Sequence, residues 1–226
     1  MNFSKILIIA AHPDDEIIGC GGTILKLKKN NKIKILFTCK TYDKRNDKRK
    51  IQKYNERQFL AKKVAAHLGI LSPNFLNYNG LSLKREDITN MAKSIYDEII
   101  KFTPDTIFTH CIDDNHHDHR ATAEATIIAA RPSKKNKFLK KIYSFEIASA
   151  SEKLIKKNRV FNPNFFVDIS KTYKKKINIL KKFYKDELRP YPNFLSLKSI
   201  ENQIKFRGNM VNLLAAEAFE TVRSID

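Results

Sequence analysis

Apolar runs that stop at charged or glycine-rich residues recur along this chain. Ile6-Leu7-Ile8-Ile9 flows into Ala10 and Ala11, so Lys5 to Ala11 reads as a buried strand. A helix is expected from Glu16 to Lys29, with Asp14 or Asp15 near its positive N-terminal end. Ile33, Ile35 and Phe37 alternate with other positions and predict a second strand over Lys32 to Thr38. Thr41 to Lys50 is charged and reads as a mobile loop and a candidate lid, with a helix after it to about His67, stopped by Gly69. Phe75 to Tyr78 predicts a short strand and Asn79-Gly80 a turn. Ile88, Met91, Ile95, Ile99 and Phe102 recur at helical spacing over Arg85 to Phe102, and Pro104 ends that helix. Thr106 to His110 is a fourth strand, and an Ala-rich helix is expected over His119 to Arg131.

Beyond Pro132 the pattern continues less regularly. Lys134 to Lys141 is a basic connector, and Ile142 to Ala148 and Phe165 to Ile169 are expected strands. Ser170 is the expected cap of a helix to Leu188, with Tyr173, Ile177, Leu180 and Tyr184 inward. A final helix is expected to carry Leu197, Ile200, Ile204, Val211, Ala215 and Ala218 on one face. Strands alternating with helices predict an α/β fold, a mostly parallel sheet with helices on both faces, as one domain over 1–226.

Composition narrows the class. The 43 Lys and Arg against 24 Asp and Glu give a formal charge of +19, which raises nucleic acid, an anionic membrane surface or an acidic small substrate as partners. The lysine runs 174–176 and 181–182 read instead as solvated helix faces, without interleaved exposed aromatics, so no nucleic acid is expected. Cys20, Cys39 and Cys111 are odd in number and far apart, which fits reduced thiols in the cytoplasm rather than a disulfide framework. No apolar run is long enough for a membrane span.

The chemistry concentrates where two of the strands end. His12-Pro13-Asp14-Asp15-Glu16 follows the first strand, and Asp113-Asp114-Asn115-His116-His117-Asp118-His119-Arg120 follows the fourth. In an open parallel sheet, ligands bind beyond the carboxyl ends of the strands. His12 and Asp15 can reach one ion if the chain bends at Pro13, and His116, His117 or His119 can supply a third ligand. Asp14 is then a spare carboxylate, placed to accept a proton from a water activated by the metal, and a second imidazole can steady an oxyanion or protonate a leaving amine. That inventory suits metal-assisted hydrolysis of an amide or ester.

The first motif, with Gly21-Gly22 after it, and the second, His116-His117-Asp118-His119-Arg120-Ala121-Thr122, together resemble the signatures of the PIG-L/LmbE-like zinc-dependent N-acetylglucosaminyl deacetylases. Softer similarity covers Phe161 to Ser170, Arg207-Gly208 and Ala216 to Phe219. The resemblance implies a Rossmann-like fold and removal of an N-acetyl group from an amino sugar or glycoconjugate. It implies Zn2+, or another divalent ion, on His12, Asp15 and His119, with Asp14 as general base. It further implies that His116 stabilises the intermediate, that Asp118 orients a ligand imidazole, and that Arg57 touches substrate, although Leu60 stands where an acidic residue is expected.

Plainer roles are expected for the remaining histidines and glycines. His117 is expected to be an exposed loop residue, His67 a helix-end contact, and His110 either a pocket residue or a structural one. Gly19, Gly21 and Gly22 lack the spacing of a dinucleotide loop and read as close-packing positions. Two other functions compete with the deacetylase: an amidase acting on another N-acyl substrate, and a basic nucleic-acid- or membrane-associating protein with a vestigial metal site. A small-molecule or glycoconjugate substrate is expected, the basic surface favouring one that bears phosphate.

Overall fold

A computed structural model describes residues 3–40, 48–147 and 161–226. Its strands are β1 (Lys5–Ala10), β2 (Lys32–Lys40), β3 (Asn74–Asn79), β4 (Thr106–His110), β5 (Lys141–Phe145), β6 (Phe165–Asp168) and β7 (Ala216–Ser224). They form one sheet in the order β3-β2-β1-β4-β5-β7-β6, parallel from β3 to β5 and antiparallel where β7 meets β5 and β6. The helices are α1 (Asp15–Leu27), α2 (Lys48–Leu68), α3 (Arg85–Phe102), α4 (His117–Ala129), α5 (Tyr173–Phe183) and α6 (Leu197–Asn209), with a 3-10 turn at Lys134–Asn136.

The period of two along β1 decides which helices lie on which face. Ile6 and Ile8 join Ile33, Ile35 and Phe108 against α1, α2, α5 and α6. Leu7 and Ile9 join Leu36 and Ile107 against Ile88, Met91 and Ile95 of α3 and Ala121 and Ala125 of α4. Both faces are covered, which is why β1 reads as an unbroken apolar run. The α/β, mostly parallel architecture expected from the sequence is the one observed.

Several boundaries differ from expectation. Of the stretch read as a lid, 41–47 lies outside the described residues, and Lys48 to Lys50 already belong to α2. The expected strand over Ile142 to Ala148 is β5, Lys141–Phe145, and position 148 lies outside the described residues. Ser170 does not cap a helix; its amide and hydroxyl both donate to Asp168 Oδ1, at 2.9 and 2.6 Å, and α5 begins after Thr172.

The largest correction is the C-terminal helix. It stops at Asn209, and Ala216 and Ala218 belong to β7. At Gly208 a Cβ would lie 2.6 Å from the Leu213 carbonyl oxygen, so the chain can fold back on itself only where there is no side chain. A second correction concerns the lysine run 174–176. Lys176 is 1% exposed, its ammonium donating to Glu217 Oε1 at 2.7 Å and to the Ile18 carbonyl at 2.6 Å. Among the described residues, no helix is long and apolar enough to cross a membrane.

Candidate metal and catalytic site

β1 lies between β2 and β4, so the chain leaves β1 in one direction and reaches β4 in the other. Such a reversal of strand order opens a crevice at the carboxyl ends. His12, Asp14 and Asp15 come to it from the end of β1, and His116, Asp118 and His119 from the start of α4. These six line a cleft of about 240 Å³ together with Arg57, Ile18, Leu81, Ile147 and Leu195. All seven residues singled out in the sequence are therefore brought together.

The turn after β1 is tightly specified. Asp14 precedes α1 at φ 129°, a conformation that costs a side-chain-bearing residue about 1–3 kcal/mol. Asp15 Oδ2 accepts the His12 amide at 2.9 Å, folding the carboxylate back beneath the imidazole. Gly19 and Gly22 let α1 settle onto the sheet: a Cβ at Gly22 would lie 2.7 Å from Ile169, and one at Gly19 2.4 Å from Phe145.

The loop after β4 is organised by Asp114, which is fully buried. Its Oδ1 accepts the His116 amide at 2.7 Å, and its Oδ2 lies 3.2 Å from His119 Nδ1. Arg120 secures the same loop by donating to the Asp114 and Asn115 carbonyls. His116 caps α4, its Nδ1 accepting the Asp118 amide at 3.2 Å. Asp118 Oδ2 lies 3.0 Å from His12 Nε2, and its Oδ1 accepts the Leu81 amide at 2.7 Å. Gly80 must be glycine here, because a Cβ would lie 2.3 Å from Asp118 Oδ2.

Around Asp15 Oδ2 stand three imidazole nitrogens, each at 3.4 Å: His12 Nδ1, His110 Nε2 and His119 Nε2. That exceeds the roughly 2.7–2.9 Å of a charge-assisted hydrogen bond. It is close to the edge of a tetrahedron of nitrogen and oxygen ligands about 2.0–2.2 Å from a central zinc. Two overlapping triads have donor atoms within 4.8 Å of one another: His12, His116 and His119, and Asp15, His110 and His119. Hydrogen bonding separates their members. The Nε2 of His110 is already used, accepting the Ala11 amide at 2.9 Å, and the Nδ1 of His116 is used as the helix cap. His12 and His119 instead have one nitrogen held by a carboxylate and the other turned to Asp15, the arrangement usual for metal-binding histidines.

The electrostatics favour a cation at this point. Burial works to lower His119, but Asp15 and Asp114 carry it up to about 10. Burial works to raise Asp15, but the charges of His119 and His110 hold it well below the usual carboxylate range. Two carboxylates thus draw one positive charge between them, and a divalent ion can take over that part. Asp14 behaves differently: burial and then the Asp15 carboxylate push it well above its ordinary value, with Arg57 pulling the other way. His116 is lowered to about 4, by burial first and then by His119 and His12, so its ring is neutral near pH 7.

The remaining residues named in the sequence take different positions. Arg57 lines the cleft, but its guanidinium is ion-paired with Glu187, Nε donating to Oε1 at 2.8 Å, and lies 3.8 Å from Asp14 Oδ2. His117 is the first residue of α4 rather than a loop residue, its Nε2 3.1 Å from the Leu83 carbonyl. His110 is buried behind the cleft, and His67 packs its ring on Phe183. Sequence reasoning gave no part in the site to Asp114 or Glu187, and read Tyr184 only as an inward helix residue. Asp114 stood in the second motif as a carboxylate two positions before His116, whereas the other two come from a distant turn with no motif around it.

The sequence model of the GlcNAc-PI de-N-acetylase family, PIG-L, matches residues 7–130, more than half of the chain and both clustered loops. No curated protein matches the chain. Among solved structures, the N,N'-diacetylchitobiose deacetylase of Pyrococcus horikoshii superposes with a TM-score of 0.73 at 21% identity, over 98% of this chain and 85% of that one. A zinc-inhibited form of the teicoplanin deacetylase Orf2 gives 0.69 at 13%, over 99% and 100%. GalB, the 4-carboxy-2-hydroxymuconate hydratase of Pseudomonas putida, gives 0.77 at 15%, over 99% and 98%. At these identities the likeness speaks for the fold, and a hydratase among the neighbours shows that the fold alone does not choose a reaction. The family match spans both loops that build the crevice, and on that ground the chain belongs to the PIG-L/LmbE-like family.

Proposed function

We propose that the protein is a metal-dependent N-deacetylase that hydrolyses the acetamide of an amino sugar or glycoconjugate. The observation that carries this reading is the 3.4 Å spacing of His12 Nδ1 and His119 Nε2 about Asp15 Oδ2, with Asp14 lining the same cleft. His12, Asp15 and His119 would hold the metal, zinc being the ion that best suits two imidazoles and a carboxylate. A divalent ion held there supplies Lewis-acid polarisation and lowers the pKa of a water.

Each remaining group has a defined task. Asp14, a buried carboxylate of raised pKa, takes the proton from the attacking water and returns it to the departing amine. Because Nδ1 of His116 is occupied by the helix cap, its neutral ring carries the hydrogen on Nε2 and offers it to the developing oxyanion. Asp118 keeps the proton on His12 Nε2, so that Nδ1 presents its lone pair. Arg57 stays paired with Glu187 and lends positive charge near Asp14, so the reacting end of the substrate need not be anionic. Ile18, Leu81, Ile147 and Leu195 give the cleft apolar walls that suit an acyl methyl and a sugar face.

The test is elemental analysis combined with acetate release from N-acetylated amino sugars, free, phosphorylated and lipid- or peptide-linked. We expect one divalent ion per chain and acetate from at least one class. Asp14→Asn should keep the metal while turnover falls about 10²–10⁴-fold. Metal-loaded protein that releases no acid from any N-acyl substrate, yet hydrates an unsaturated acid, would overturn the reading.

A further inference from the structure

Asp14 is held at φ 129°, and such strain persists only where the surroundings fix it. Its amide donates to Glu16 Oε2 at 2.8 Å. Glu16 is fully buried, and its Oε1 accepts the hydroxyl of Tyr184 at 2.7 Å. Tyr184 is itself buried, at the C-terminal end of α5. Three residues on, Glu187 pairs with Arg57, whose guanidinium stands 3.8 Å from Asp14 Oδ2. The Glu187 amide donates to the Tyr184 carbonyl at 3.0 Å, so both grips spring from a single closed turn.

We infer that the turn 184–187 is a positioning clamp for Asp14, gripping its backbone through Glu16 and its carboxylate through Arg57. The clamp rests on the reading above, in which Asp14 moves the proton. It lies well beyond residues 7–130, the part matched by the family model, and more than 160 positions from the residue it positions. Tyr184 and Glu187 do not themselves line the cleft; they reach it through Glu16 and through Arg57, which does. Two grips on one residue, one at its amide and one at its carboxylate, fix both its peptide plane and the direction of its side chain. A proton acceptor needs that precision, because a misplacement of about 1 Å can cost around a hundredfold in rate.

The experiment compares Tyr184→Phe, Glu187→Gln, Asp14→Asn and the surface control Arg85→Ala by kinetics, metal content and amide hydrogen exchange of metal-free protein. Tyr184→Phe and Glu187→Gln should each lower kcat about 10- to 100-fold with KM and metal content unchanged. The Asp14 amide should exchange about 10-fold faster in Tyr184→Phe and unchanged in Arg85→Ala. If kcat and exchange stay at the parent values in both clamp variants while Asp14→Asn is inactive, the clamp is wrong and the functional reading stands. If Asp14→Asn stays active, the functional reading falls, and the exchange of the Asp14 amide still decides whether the turn holds it. A drop in melting temperature with kcat and exchange unchanged would assign the turn to stability alone.

Discussion

Charge is buried in two places in this molecule, and the two are built differently. Between α1, α5 and β7, every carboxylate oxygen of Glu217 is satisfied: Oε1 accepts from Gly22 N–H and from Lys176, and Oε2 from Thr23 N–H at 2.7 Å. One cation meets one anion, and the remaining partners are peptide groups. At the end of β1 and β4, Asp14, Asp15, Asp114 and Asp118 crowd around His12, His110, His116 and His119, with 3.4 Å gaps and with Nδ1 of His110 lacking a hydrogen-bond partner. The first network is closed and fastens helices to a strand. The second opens on a cleft and has ligand atoms to spare, so burial of charge is not what marks a functional site; titratable groups left incompletely paired on a cleft are.

Removing one member from each network should separate architecture from chemistry. Asp15→Ala takes away the carboxylate on which three imidazoles converge. Bound metal and turnover should fall by more than the about 10–100-fold that loss of an outer partner costs, with the fold kept, as read by elemental analysis and circular dichroism. Lys176→Met leaves Glu217 buried without its cation. Stability to urea should drop by about 3–5 kcal/mol while metal content and kcat of the folded fraction hold. If Lys176→Met lost metal instead, the two networks would not be separable.

Asp114→Asn sharpens the contrast inside the open network, since Asp114 meets the proposed ligands at His119 Nδ1. Metal affinity should weaken about 10–100-fold, measured by competition with a chelator. The smallest effect is expected at the cysteines. Burial pushes the thiols of Cys39 and Cys111 up to about 12, and Cys20 well above its ordinary value. At pH 8 such a thiol is about four units below its pKa, so about one part in 10⁴ is thiolate. Thiol reagents should leave all three untouched until the chain is unfolded.

The opening strand and the helix Arg85–Phe102 could be read from the sequence because their burial pattern is carried by their own residues. The convergence of His12, Asp15 and His119 was legible for a related reason: both loops sit where apolar runs end, and a parallel sheet places such ends side by side. Lys176 could not be read. In sequence it is one lysine of three, and its inward stem runs past Gly21, where a Cβ would lie 3.2 Å from Lys176 Cγ, to reach Glu217. β7 was misread because Val211, Ala215 and Ala218 continue the helical spacing of Ile200 and Ile204, although Gly208-Asn209 carried a stop signal. Asp114 and the turn 184–187 lacked any local pattern, since what they do depends on partners that the fold brings to them.

The placement of β7 has a consequence for synthesis. β5 and β6 are joined through it and not to each other, and β7 comes last in chain order. Until residues 216–224 have left the ribosome, the outer edge of β5 offers a row of unpaired peptide groups, an invitation to association with other chains. The nascent protein therefore already carries both loops of the crevice while β5 is still an open edge, and pairing with β7 is what covers it.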